Sequence, residues 1–203
     1  MAKCCLIIGK VNVGKTLFFI NFADYLGLKS LEISFRYQSG RVFSKNYKIE
    51  QARKELVGTE KHKTRCLQSI KIDIPVGKGK KKIDLVDTSG LVDGIHENEE
   101  IRRSIAQALS MVREADLILH LIDGVEVGQN ELAQALGTVD YQVAQFAQMK
   151  GAYAILVNKI DLAGSEIGLN KLQKEFVGHN IIPISALLKD GFKEVKAFVW
   201  GNI

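Results

Sequence analysis

The eight residues GKVNVGKT, from Gly9 to Thr16, follow the apolar run CCLII. Gly9-x4-Gly14-Lys15-Thr16 has the residue types and spacing of a phosphate-binding loop. A triphosphate is densely anionic and must be wrapped by many donors. Glycines let backbone N–H groups turn inward with no Cβ in the way. Lys15 is a compact cation able to reach the β- and γ-phosphates, and a helix starting there adds the positive end of its dipole. Thr16 offers a hydroxyl to Mg²⁺. The competing reading is a glycine-rich turn with no ligand, and the strand before and helix after the loop make it the weaker one.

Further loops name the base and the metal. Asn158-Lys159-Ile160-Asp161 reads NKxD. A carboxylate at Asp161 can accept from N1–H and the N2 amine of guanine. Adenine has neither donor there and would leave the carboxylate unpaired, which is how a polar site rejects a near-isostere. Asn158 can reach the base's other edge and tie loops together, and the Lys159 stem can lie over the ring. In Ser185-Ala186-Leu187 a small residue lets the Ala186 N–H approach guanine O6. Asp87-Thr88-Ser89-Gly90 reads DxxG: Asp87 can hold Mg²⁺ through a water, and the Gly90 N–H can sense a γ-phosphate. A strand-end cap is the plainer alternative for Asp87. A second threonine must close over the metal. Thr64 is preferred because it lies just before a strand, with Thr59 its competitor.

Such loops have to be gathered by a scaffold. Strands are expected at 3–8, 67–75, 81–87, 116–123, 152–158 and 180–185. The runs at 3–8 and 116–123 are apolar without alternation, the mark of strands buried on both faces. LQSIKIDIP alternates, with Ile70, Ile72 and Ile74 on one side, and forms an antiparallel hairpin with KKIDLVD. Helices are expected at 15–26, 98–114, 129–149, 167–176 and from about Asp190. Alternating strands and helices with short links imply a mostly parallel sheet covered on both faces, with one antiparallel edge strand. In such sheets ligands sit beyond the carboxyl ends of the strands. Residues 29–63 fit this scheme least well; a strand pair around Ser39–Gly40 and a short helix near EQARKELVG are expected there.

Composition sets the bounds. The chain has 203 residues, 46% of them apolar, and reads as one domain over 1–203. No run approaches the roughly 18 apolar residues of a membrane span, and Cys4 to Ile8 is too short for a signal peptide. The chain therefore reads as soluble, intracellular and cytoplasmic, with no integral membrane segment. Three cysteines, Cys4, Cys5 and Cys66, without a CxxC pair fit a reducing compartment. Net charge is +5, which permits an RNA partner without demanding one. Lys78, Lys80, Lys81 and Lys82 either grip a polyanion or form a solvated turn. His120 lies in an apolar strand and reads as a core histidine, and Trp200 reads as a packing residue of the last helix.

GKVNVGKT, the Thr64 segment, DTSG, NKID and SA stand in the order of the translation-factor class of P-loop GTPases. The chain resembles in particular the Era and tRNA-modification (TrmE) group, whose loops read GxPNVGKS, DTxGL and NKxD. The resemblance covers nearly the whole chain. Val11 stands where that group has proline, and the segment before Thr64 is longer than usual. The resemblance implies a three-layer α/β P-loop NTPase G domain with an extended switch I region at about 29–63. It implies a Mg²⁺-dependent GTPase switch, with Asn12, Val13, Gly14, Lys15, Thr16 and Leu17 against GTP or GDP. Lys15, Thr64 and Gly90 would serve hydrolysis, and Thr16, Thr64 and Asp87 would hold Mg²⁺.

Ras-like relatives place a glutamine after DxxG to orient water; this chain has Leu91. Some members of the Era-like group use K⁺ instead of an arginine finger, which implies Asn12 as a K⁺ ligand. A glutamate further along switch II positions water in that subgroup. Glu99, in the run Glu97-Asn98-Glu99-Glu100, is the choice here, against simple enrichment of acids in a helix's first turn. Arg102 and Arg103 stand as fingers or, more plainly, as solvated helix residues. Ribosome or RNA binding and a nucleotide-dependent homodimer are the expected partnerships. Leu91 also keeps a second function class open: a GTP-binding scaffold with negligible turnover.

Overall fold

The strand-end loops are gathered by one sheet. In the computed structural model, residues 2–37, 39–57, 66–88, 106, 110–148 and 152–203 are described. In chain order the elements are β1 (Lys3–Ile8), α1 (Lys15–Tyr25), β2 (Ser30–Arg36), β3 (Val42–Lys48), α2 (Ile49–Leu56), β4 (Leu67–Val76) and β5 (Gly79–Asp87). Then follow β6 (Leu117–Asp123), α3 (Gly124–Gln129), α4 (Leu132–Ala135), α5 (Thr138–Gln148), β7 (Tyr153–Asn158), α6 (Ser165–Glu175), β8 (Asn180–Pro183) and α7 (Phe192–Asn202).

Among the described residues, eight strands form one sheet in the order β3-β2-β4-β5-β1-β6-β7-β8. From β5 to β8 all neighbours are parallel. The expected antiparallel edge is present and is broader than one strand: β4 pairs with β5, β2 with β4, and β3 with β2, all antiparallel. The residues around Ser39–Gly40 do join a strand pair, and the stretch EQARKEL lies in a helix, Ile49–Leu56, as expected. This pair extends the sheet because Leu31, Ile33 and Phe35 alternate, burying one face against the core.

Alternation of side chains divides the core into two layers. Cys5 and Ile7 of β1 pack with Phe18, Phe22, Ala52, Phe192 and Val195 on the α1, α2 and α7 side. Leu6 and Ile8 pack with Val112, Val127, Val143 and Leu172 on the other, where α3, α5 and α6 lie. α1 is apolar on nearly every side because it is enclosed by the sheet, α2 and α7. Phe18 stacks on Phe22 at 5.3 Å between centroids and meets Phe192 edge-on at 5.2 Å.

One helix expectation is corrected. Residues 129–149 do not form a single helix: α3 starts earlier, at Gly124, and α4 and α5 follow as separate pieces. Asp123 starts α3 by accepting from the Val125 and Glu126 N–H groups. Asn130 and Leu136 have extended backbones that break the run, and Asp140 then accepts from the Gly137 N–H at the head of α5. Among the described residues no helix is long and apolar enough to cross a membrane.

Candidate functional site

Parallel register aligns the motif residues along one rim of the sheet. Ile7 is level with Asp87, Asp123 with Asn158, and Val157 with Pro183. The carboxyl ends of β1, β5, β6, β7 and β8 therefore lie on the same side, as the fold requires of a ligand site.

Asn158 joins these loops directly. Its Nδ2 donates to the Val13 carbonyl at 2.7 Å, and its Oδ1 accepts from the Ala186 N–H at 2.8 Å. One side chain thus ties the glycine loop, the NKxD loop and the SA loop. Gly14 is needed for this closeness. It has φ 98, and a Cβ there would lie 2.3 Å from Asn158 Nδ2. Lys159 also takes a left-handed backbone, at φ 69, and pairs with Asp123 Oδ2. Asp161 is exposed at the rim. Ser185 is buried and its hydroxyl accepts from the Leu188 N–H at 3.0 Å, shaping the loop that carries Ala186. Leu187 is exposed beside it.

At the other end of the rim, Thr16 Oγ1 donates to Asp87 Oδ2 at 2.7 Å. Asp87 is fully buried, and its second oxygen, Oδ1, has no hydrogen-bond partner among the described residues. Burial raises the Asp87 carboxyl to about 6, against the opposing pull of Lys15 and the Thr16 bond. Lys15 is also buried, and its Nζ donates to the Lys10 carbonyl at 2.7 Å. Burial lowers the Lys15 ammonium to about 8, partly offset by Asp87 and Asp140. Thr88 fixes the end of β5 by donating from Oγ1 to the Ile7 carbonyl at 2.9 Å. An acidic oxygen left over in a buried, lysine-flanked corner next to a hydroxyl suits a hard divalent cation. Asn12 is exposed at φ 64, Val13 is buried, and Leu17 packs partly against the core.

Several residues in this region escape the motif reading. Asp123 holds Lys159 and caps α3 together; an aspartate closing an apolar strand at a loop-bearing rim is the signal that could have found it. Asn21, a polar residue inside the apolar run LFFINF, is buried and donates to the Ala186 carbonyl at 2.7 Å. Behind the glycine loop, Lys10 Nζ lies 3.9 Å from Asp140 Oδ2 and donates to the Ala135 carbonyl. Asp140 in turn meets His120 Nε2 at 3.0 Å, and His120 Nδ1 meets the Tyr153 hydroxyl at 2.9 Å. His120 is fully buried, as expected of a core histidine, and it anchors α5 to β6 and β7.

Two lysines of the β4–β5 turn are engaged within the protein. Lys80 pairs with Asp73, and Lys81 donates to the Trp200 carbonyl while lying 4.7 Å from the Trp200 ring centroid. Lys81 thereby closes the C-terminal end of α7. Thr59, Thr64, Gly90, Leu91, Glu97, Asn98, Glu99, Glu100, Arg102 and Arg103 lie outside the described residues.

Comparison with known proteins agrees with this geometry. Residues 45–159 match the profile of the family described as 50S ribosome-binding GTPase. The chain is 31% identical over 85 residues to the tRNA modification GTPase MnmE of Ralstonia nicotianae, covering 42% of this chain and 18% of that protein. It is 24% identical over 115 residues to GTPase Obg of Syntrophobacter fumaroxidans, covering 55% of this chain and 32% of that protein. The chain spans less than two thirds of either relative's length. Among solved structures, a variant of Era from Aquifex aeolicus bound to GDP·AlF4⁻ aligns with TM-score 0.62 and 21% identity, over 100% of this chain and 57% of that one. The G domain of the T. maritima FeoB iron transporter aligns with TM-score 0.61 and 20% identity, over 100% and 99%. Both structural likenesses show a shared fold.

Proposed function

Because the chain belongs to the 50S ribosome-binding GTPase family, we propose that it is a Mg²⁺-dependent GTP switch whose base and phosphate sites are the two ends of the strand-end rim. The observation that carries this reading is the pair of hydrogen bonds of Asn158, to Val13 O and from the Ala186 N–H, which joins the phosphate loop to both base loops. Asp161 accepts from guanine N1–H and N2, and the Ala186 N–H, which donates to Asn158 Oδ1 in this structure, is shared with O6 when the base is bound. The phosphates lie along Val13, Gly14, Lys15 and Thr16, with Leu17 behind them. Lys15 faces the β- and γ-phosphates.

Thr16 and Asp87 are the described residues that would hold Mg²⁺, and the partnerless Asp87 Oδ1 fits that assignment. Bound there, the ion neutralises charge on the phosphate oxygens. Thr64 and Gly90 take the switch roles implied by the sequence resemblance. Hydrolysis proceeds by in-line attack of water on the γ-phosphorus, releasing GDP and phosphate. With Leu91 in the glutamine's place, we assign water positioning to Glu99 and the missing positive charge to K⁺ near Asn12. The partner is ribosomal or another RNA, in line with the family's description and the net charge of +5.

Titrations with GTP and ATP test the base assignment: GTP binds at least about a hundredfold tighter, given the unpaired carboxylate that adenine leaves. Comparable affinities would falsify it. Single-turnover hydrolysis in KCl and NaCl tests the ion, and equal rates remove K⁺ from the scheme. Leu91 favours one second reading, a GTP-binding scaffold. Negligible turnover with K⁺ present at high protein concentration would establish that reading instead.

A further inference from the structure

Ala186 offers guanine its N–H, which in this structure donates to Asn158 Oδ1 at 2.8 Å; the Ala186 carbonyl belongs to the next peptide unit, and holding it fixes the backbone turn that presents the N–H. That carbonyl is held by Asn21 Nδ2 from α1, at 2.7 Å. Asn21 is itself buried, and an amide can turn over about its last bond unless its other end is fixed. The other end is fixed by α2: Arg53 Nε donates to Asn21 Oδ1 at 2.8 Å. The same guanidinium donates through Nη2 to Asp24 Oδ2 at 2.6 Å and through Nη1 to Glu50. Asp24 Oδ2 also accepts from Lys189 Nζ at 2.6 Å. Lys189 sits three residues beyond Ala186 in the same loop, at the left-handed φ of 68.

The guanidinium of Arg53 therefore reaches the loop after β8 by two routes, through Asn21 to Ala186 and through Asp24 to Lys189. Burial alone would raise the Asp24 carboxyl, but the bonds from Lys189 and Arg53 outweigh it and hold the group below its usual range. Asp24 is thus an anion under both cations. A planar fork with fixed donor directions can serve Asn21, Asp24 and Glu50 at once; an ammonium on a flexible stem cannot hold the same geometry.

We propose that Arg53 is a positioning residue for guanine recognition: through Asn21, which holds the Ala186 carbonyl, and through Asp24, which holds Lys189, it fixes the loop that presents the Ala186 N–H to guanine O6. The role rests on the assignment of residues 158–161 and 185–187 as the guanine site. It joins α2, in the stretch of 29–63 that carries none of the nucleotide motifs, to the base end of the pocket.

The test pairs changes in the protein with changes in the base. Wild type, Arg53→Ala, Arg53→Lys and Asn21→Ala are titrated with GDP, with the 2-aminopurine ribonucleoside diphosphate, which lacks O6 and with it the N1–H, and with inosine diphosphate, which lacks the N2 amine. Wild type prefers GDP over both analogues. In Arg53→Ala and Asn21→Ala, GDP affinity falls about fivefold, one hydrogen bond's worth, while the 2-aminopurine nucleotide stays within about twofold of wild type. The penalty for inosine stays as in wild type, because Asp161 is untouched. Arg53→Lys keeps a cation beside Asp24 and still fails to restore O6 discrimination. Equal weakening of all three nucleotides, or rescue by lysine, overturns the proposal and leaves Arg53 a stabilising surface ion pair. Thermal unfolding of each variant checks that it is folded; Arg53 is partly exposed, so its alanine variant retains the core. If wild type itself does not distinguish GDP from either analogue, the guanine assignment fails, whatever the variants do.

Discussion

At the base end of the rim, Asn158 and Asn21 each make hydrogen bonds to two other groups of the protein, and Asp123 to three. At the phosphate end, Lys15 and Asp87 are buried charges whose titration burial pushes toward neutrality from opposite sides. The first end is assembled by the protein itself. Its loops are closed by neutral or paired groups before any ligand is considered. The second end carries charge in excess of what the fold satisfies, with Asp87 Oδ1 still without a partner among the described residues. Such groups are costly to bury alone and favourable once a polyanion and a cation meet them. The difference suits a switch. On the proposed reading, the base anchor serves both nucleotide states, while the phosphate end responds to what is bound.

The largest expected effect breaks the phosphate end. Lys15→Met removes a buried ammonium facing the phosphates, and GTP affinity falls on the order of a hundredfold or more, about 3 kcal/mol. Calorimetric titration measures the loss. The nucleotide-free protein should unfold no earlier than wild type, because the change deletes a charge that burial disfavours. An equal loss of stability would place Lys15 among the structural groups and erase the contrast between the two ends.

A smaller effect, of the opposite kind, is expected behind the base end. α3 and α6 touch backbone to backbone, and a Cβ on Gly168 would lie 1.9 Å from the Gly124 carbonyl oxygen. Lys171 also caps α3 by donating to the Asn130 carbonyl at 2.8 Å. Gly124 directly follows Asp123, the partner of Lys159. Gly168→Ala should force the helices apart and destabilise the protein by about 2–3 kcal/mol. Chemical denaturation would show it as a lower midpoint with an unchanged slope. GTP and GDP should weaken together, leaving their ratio as in wild type. A changed ratio would mean that the base end is not independent of the phosphates.

The two ends also differ in how readable they are. GKVNVGKT and NKID are contiguous words in which residue type and spacing carry the chemistry, and the apolar runs before them announce their strands. Lys15, Asp87, Asn158 and Ala186 could therefore be placed on one rim from sequence. The supports could not. Arg53 lies 32 positions from Asn21 and belongs to a helix with no motif of its own. Asn21 shows only as one polar residue in an apolar helix. The helix expected at 129–149 failed because apolar spacing runs on through Asn130 and Leu136, while the breaks come from Asp123 and Asp140 capping new starts. Capping side chains act on backbone groups nearby, and periodicity of apolar residues does not register them. The wider antiparallel edge was half legible: strand alternation at Leu31, Ile33 and Phe35 is visible, but its pairing with β4 depends on contacts across a long span of sequence.

The smallest expected effect sharpens the contrast through pH. Asp87 is raised from its usual 3.8 to about 6. The folded protein thus binds this proton more tightly than the unfolded chain, and the resulting stabilisation, complete below about 3.8, is lost as pH rises through about 6. Lys15 is lowered from 10.5 to about 8, so its contribution is present above 10.5 and is lost as pH falls through about 8. Both charges therefore weigh against the nucleotide-free fold between about 6 and 8. Lowering the pH from 7 to 5 should recover about 1 kcal/mol at Asp87. Urea denaturation of wild type against Asp87→Asn isolates this term, because the asparagine variant lacks the proton in question and other carboxylates titrate alike in both. Over the same range the proton competes with a cation for Asp87, so the gain in GTP affinity from Mg²⁺ should shrink by up to about tenfold. A Mg²⁺ effect that stays constant from pH 7 to 5 would remove Asp87 from the metal site and leave its buried charge without a purpose at the phosphate end.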